Sequence, residues 1–168
     1  GHLAAVMSAA RFNVEVQTGV GSQTFQSTTV AGRVDNVVAT LPGNNSTESV
    51  VLAAHYDSTF GTPGAADDKA SVAAMLETAR AVASTGPLRN DVIMIFTDGE
   101  EAGLLGGSSF VAEHPLADRG GVILNWEATG NAGPSVMFET TSGNAELIKE
   151  FAASAPYPVG DSALAALY

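Results

Sequence analysis

Val50-Val51-Leu52-Ala53-Ala54-His55-Tyr56-Asp57 and Asp91-Val92-Ile93-Met94-Ile95-Phe96-Thr97-Asp98-Gly99-Glu100-Glu101 decide the fold. Each contains an unbroken apolar run of strand length and ends in histidine or carboxylates. A run of Val, Ile and Leu without polar alternation is the pattern of a strand covered on both faces, as in a parallel sheet flanked by helices. Between the two, Asp68 to Ser84 places Val72, Met75, Leu76, Ala79 and Ala83 on one stripe at helical spacing, and Gly86-Pro87 ends the helix. Further on, Leu104 to Glu113 reads as a helix closed by Pro115, and Gly121 to Trp126 as a third buried strand.

The flanks fit the same plan. Leu3 to Ala10 reads as the end of an Ala-rich helix. Phe12 to Val20 alternates as a half-buried strand, Phe25 to Leu41 continues extended, and Pro42-Gly43-Asn44-Asn45 turns. Val136 to Glu139 is a short strand, Ala145 to Ala153 a helix, and Ser162 to Tyr168 the start of another. Strand, helix, strand, helix, strand predicts an α/β fold: a three-layer αβα sandwich with a mostly parallel mixed sheet, occupying residues 1–168 as one domain.

Composition narrows the function. The 168 residues carry 7 Lys+Arg against 18 Asp+Glu, a formal charge of −11, with 45% hydrophobic residues and no cysteine. So apolar a chain is not intrinsically disordered. Its acidity argues against a nucleic-acid partner, which needs clustered Lys and Arg. Without cysteine it has no disulfide framework, thiolate metal site or thiol nucleophile. Its apolar runs fall far short of the ~18 residues of a membrane helix, so no membrane segment is expected.

In parallel sheets the reactive groups stand beyond the carboxyl ends of the strands. His55-Tyr56-Asp57 follows the first run, Asp98-Gly99-Glu100-Glu101 the second, and Glu127 the third, while Gly64-Ala65-Ala66-Asp67-Asp68 precedes the helix between the first two. Singly each has an ordinary reading: a satisfied histidine, a helix cap, a solvated acidic turn. Together they crowd carboxylates into one crevice, where mutual repulsion calls for a cation. One imidazole with several carboxylates suits zinc, or cobalt or manganese in its place, better than calcium.

In these residues the chain resembles the zinc aminopeptidases with co-catalytic metals, and most the endoplasmic-reticulum metallopeptidase type. The resemblance rests on His55-Tyr56-Asp57-Ser58, Gly64-Ala65-Ala66-Asp67-Asp68, the run Asp98 to Gly106, and Asn125-Trp126-Glu127-Ala128, with Glu113-His114-Pro115 before the last. It covers roughly Val34 to the C-terminus. It implies a zinc exopeptidase-like fold in which Asp67 bridges two zinc ions, His55 and Glu127 complete one site, and Glu101 binds the other. Glu100 would be the general base, and Asp57 would orient His55. The Asp67-Asp68 peptide would often be cis.

The resemblance further implies an aminopeptidase acting on peptides with a free N-terminus, through a zinc-activated water. The parent protein would be extracytoplasmic, secreted or membrane-anchored. Its second zinc also needs a histidine late in the domain, and this chain's histidines are His2, His55 and His114. The expectation is a domain lacking its C-terminal part and clipped at its start. It would hold at most one zinc well, with a second weak or absent, have little or no activity alone, and self-associate through an exposed sheet edge. Three rivals stand beside this: a glutaminyl cyclase-like single-zinc enzyme, a catalytically inactive binding ectodomain, and a two-carboxylate glycosidase using Glu100 and Glu127. The last leaves His55, Asp67 and Asp68 without a task.

Overall fold

In the computed structural model, which describes residues 1–128, 130 and 132–161, the two decisive runs lie side by side. Ser49–His55 and Asp91–Thr97 are parallel strands, with Val50 opposite Val92 and His55 opposite Thr97. In chain order the elements of the first compact unit, Gly1–Thr129, are α1 (His2–Ala9), β1 (Asn13–Phe25), β2 (Thr28–Leu41), β3 (Ser49–His55), α2 (Lys69–Ser84), β4 (Asp91–Thr97), α3 (Leu105–Glu113), a 3-10 turn (Pro115–Asp118) and β5 (Gly121–Asn125). Their five strands form one mixed sheet, ordered β1-β2-β4-β3-β5. β4, β3 and β5 run parallel, while β2 and β1 extend the sheet antiparallel from β4.

Both faces of β3 and β4 are covered, which is why their sequences do not alternate. On one face Met7 of α1 and Val72, Met75 and Ala79 of α2 pack against Ala39, Leu52, Ala54, Met94 and Phe96. On the other, Phe110 of α3 packs against Val38, Val51, Ile93 and Ile95. Met75, Met94 and Phe96 are fully buried, each contributing about 1.5–3 kcal/mol of transfer free energy. The result is the αβα sandwich expected, with β3, β4 and β5 ending on one edge.

Several local expectations change. β1 and β2 form a single long hairpin, paired from Asn13–Thr40 to Phe25–Thr28; the strand read as ending at Val20 runs on to Phe25. β5 is not a buried strand. It occupies the sheet's edge, with Val122 40% and Ile123 69% exposed, because it has β3 on one side only and its apolar run belongs to an edge. The helix read from Asp68 begins at Lys69, and the one read from Leu104 at Leu105.

The second compact unit, Gly130–Tyr168, holds β6 (Val136–Met137), α4 (Ala145–Ser154) and β7 (Val159–Gly160). β6 and β7 pair in parallel. β7 was not read from sequence, and the helix expected over Ser162 to Tyr168 lies outside the described residues. No helix among the described residues is long and apolar enough to cross a membrane.

Candidate metal centre

Parallel register brings the strand ends together. His55 closes β3 opposite Thr97 at the end of β4, and Ala53 lies opposite Asn125 at the end of β5. Glu100 and Glu101 stand on the loop after β4, and Glu127 two residues past β5. Asp67 stands in the turn before α2, joined to Asp68 by a cis peptide bond.

His55 is the hub. Its side chain is 2% exposed, and its Nε2 lies 3.0 Å from Asp67 Oδ1, 3.7 Å from Glu100 Oε2 and 3.7 Å from Glu127 Oε1. One ligand atom from each of His55, Asp67 and Glu127 lies within 4.8 Å of the others, and no other such group occurs among the described residues. A tetrahedral zinc with bonds of 2.0–2.2 Å holds its ligands about 3.3 Å apart. The donor set of one imidazole and two carboxylates, at these separations, therefore fits zinc after small side-chain adjustments.

The electrostatics agree. Burial pulls the His55 imidazole down, but Glu100, Glu127, Asp68 and Asp57 together outweigh it and raise its pKa. The Glu100 carboxyl is raised by burial, offset in part by His55 and reinforced by Glu127, Glu101 and Asp57. His55, Glu127 and Glu100 line a cleft of about 240 Å³ together with Val51, Ile95, Phe110 and Ile123. A bound dication would answer this crowding of carboxylates.

Three residues sit differently from their sequence reading. Asp57 Oδ1 is 3.3 Å from His55 Nδ1, yet that nitrogen makes no hydrogen bond. The Asp57 oxygens instead accept the main-chain N–H groups of Glu100 and Glu101, each at 3.1 Å. Glu101 lies outside the cluster, with its carboxylate accepting the Thr59 N–H at 2.9 Å. Asp68 precedes α2 but makes no capping bond. It is fully buried, and Oδ2 accepts the His55 N–H at 3.1 Å while Oδ1 has no partner. Burial pushes its pKa up to about 6.

His114 has no part in the cluster. Its side chain is 7% exposed, accepts the Leu116 N–H through Nδ1, stacks on Phe110 and pairs with Glu15 at 2.9 Å. Asn36 went unremarked in the sequence. It is fully buried, accepts the Asp98 N–H at 3.0 Å, and donates to Gly106 O and to Gln17, each at 2.9 Å. The signal was its phase: Val34, Asn36 and Val38 share one face of β2 at period two.

A family model described as peptidase family M28 matches residues 36–167. The endoplasmic reticulum metallopeptidase 1 of Mus musculus is 33% identical over 152 residues, which is 87% of this chain and 17% of that protein. The chain thus spans under a fifth of the length of this curated relative. Among solved structures, the glutaminyl cyclase of Porphyromonas gingivalis superposes with a TM-score of 0.72 at 19% identity, covering 95% of this chain and 64% of that one. A Zn-dependent exopeptidase from Parabacteroides distasonis gives 0.68 at 19% identity, covering 95% and 66%. Both likenesses are of fold.

Proposed function

The chain belongs to peptidase family M28, and on that premise we propose that it carries the metal centre of an exopeptidase that removes residues from the free N-terminus of peptides. The observation that supports this most is the convergence of His55, Asp67 and Glu127 to within 4.8 Å, with the Glu100 carboxylate 3.7 Å from the same imidazole nitrogen. His55, Asp67 and Glu127 hold one zinc. Asp67 and Glu101 offer two protein ligands to a second, which is weaker for that reason. Zinc bound here supplies Lewis acidity toward the scissile carbonyl and toward water.

The chain's own residues do the rest. Glu100 takes a proton from the attacking water and passes it to the leaving amine. Its raised pKa brings the carboxyl closer to the operating pH, where one group serves as base and then as acid. The acidic surroundings favour a cationic amino terminus in the cleft. Peptides with a free N-terminus are the proposed partners. The parent protein is proposed to lie outside the cytosol, membrane-anchored or secreted, as the name of the endoplasmic-reticulum relative suggests. Copies of the chain are proposed to associate through the exposed β5 edge.

A second reading has its own observation. Glu101 is turned to Thr59, leaving one three-ligand group, and a single-zinc glutaminyl cyclase would need no more. Turnover of an aminoacyl anilide against an N-terminal glutaminyl peptide separates the two. The assay is run on this chain with zinc and on the longest natural protein containing it. Hydrolysis of the anilide alone supports the peptidase. Cyclisation alone refutes it, and turnover of neither by the longer protein leaves the binding-ectodomain reading standing.

A further inference from the structure

The loop bearing Glu100 is anchored at its ends and gripped at its tip. Asn36 joins the two ends, accepting the Asp98 N–H at 3.0 Å and donating to Gly106 O at 2.9 Å. Within the loop, the Gly103 and Leu104 N–H groups both donate to Glu100 O at 2.8 Å, and the Leu105 N–H to Gly99 O at 3.0 Å. At the tip stand the N–H groups of Glu100 and Glu101. Both are taken by Asp57, one by each carboxylate oxygen, at 3.1 Å.

Two N–H donors on consecutive residues need two acceptors side by side, and an ionised carboxylate is the side chain that offers them. Asp57 stands two residues past His55, so its grip ties the Glu100–Glu101 peptide to the end of β3, which carries the metal-binding imidazole. His55 Nδ1, 3.3 Å from Asp57 Oδ1 and without a hydrogen bond, is the weaker of Asp57's contacts. We infer that Asp57 is a positioning residue for the general base, holding the Glu100–Glu101 backbone at a fixed distance from His55. The inference deepens the peptidase reading and rests on it for the base's role, while the grip itself is testable without substrate.

Asparagine at 57 keeps the shape but offers one acceptor oxygen. Its amide nitrogen would face an N–H donor, so one of the two bonds is lost. It still leaves an oxygen able to face the imidazole. In amide exchange of the metal-free protein, Asp57→Asn is expected to speed exchange at Glu100 or Glu101 at least tenfold, the order of losing a hydrogen bond to a charged acceptor. Ile93, Met94 and Ile95 of β4 should be unchanged, reporting an intact fold. Zinc affinity should hold within a few fold, and in a form that turns over kcat should fall about tenfold or more with KM little moved.

Unchanged exchange at both amides, or a loss of zinc affinity with kcat preserved, would overturn the inference in favour of imidazole orientation. Should the variant not fold, the unmodified protein decides. Couplings across the hydrogen bonds, from the amide nitrogens of Glu100 and Glu101 to the Asp57 carboxyl carbon, are expected in the NMR spectrum, and absence of both would refute the grip. Gripped amides in a protein that cleaves no peptide would sink the peptidase reading alone.

Discussion

Replacing Asp68 with asparagine should make the metal-free protein relatively more stable as pH rises. The folded chain buries this carboxyl completely, satisfies one oxygen through the His55 N–H and leaves the other without a partner. Burial lifts its pKa from 3.8 to about 6. Between those values the folded state binds more protons than the unfolded state, so stability declines as pH rises through the window. Above it the cost is complete, at about 3 kcal/mol for a shift of this size. Asparagine keeps an oxygen for the His55 N–H and carries no charge. The stability difference, Asp68→Asn minus parent, should therefore climb by about 3 kcal/mol between pH 3 and pH 7.5. For a chain of this length that is about 6–12 °C in relative Tm. Thermal unfolding in chelator, followed by circular dichroism at several pH values, measures it. A difference that stays flat across the range would show that Asp68 is ionised at no cost, and the account of its burial would be wrong.

Other expectations follow from the same geometry. Glu100→Gln should retain zinc and lower kcat by about 10²–10⁴-fold, the usual span for a general base, in whichever form turns over; an unaffected rate would remove Glu100 from the chemistry. Zinc affinity should fall as pH drops through the raised His55 pKa, because the metal binds the neutral imidazole. Calorimetric titrations from pH 8 to pH 5 would show it, and pH-independent binding would exclude His55 as a ligand. Gly106→Ala should destabilise by about 1–3 kcal/mol, since a methyl group there would collide with Asn36 Oδ1 and with the Asp98 backbone. Denaturant unfolding tests it, and an unchanged midpoint would mean the loop end is looser than described.

What could be read from sequence was set by short-range pattern. The continuous runs at β3 and β4 fix parallel neighbours, and parallel neighbours put His55, Glu100 and Glu127 at one edge without knowledge of any contact. The same reasoning failed at β5, because an apolar run records what a strand is made for and not which side of it is covered. It also failed at Asp68. A carboxylate before a helix looks like a cap, but here its oxygen is taken by the His55 N–H of a neighbouring strand end, a contact invisible to local sequence. Asn36 was legible only through the phase of its strand. The β1–β2 hairpin was underestimated because Gly19, Gly21 and the Ser, Gln and Thr residues after Val20 lack strand-like alternation, while register with β2 holds them extended.

The account stands on metal sharing among His55, Asp67 and Glu127. Anomalous diffraction recorded on either side of the zinc edge, from crystals of zinc-loaded protein, tests that directly. A peak within bonding distance of His55 Nε2, Asp67 Oδ1 and a Glu127 oxygen is the predicted result. Well-ordered side chains in this pocket with no anomalous density among them, at saturating zinc, would contradict it.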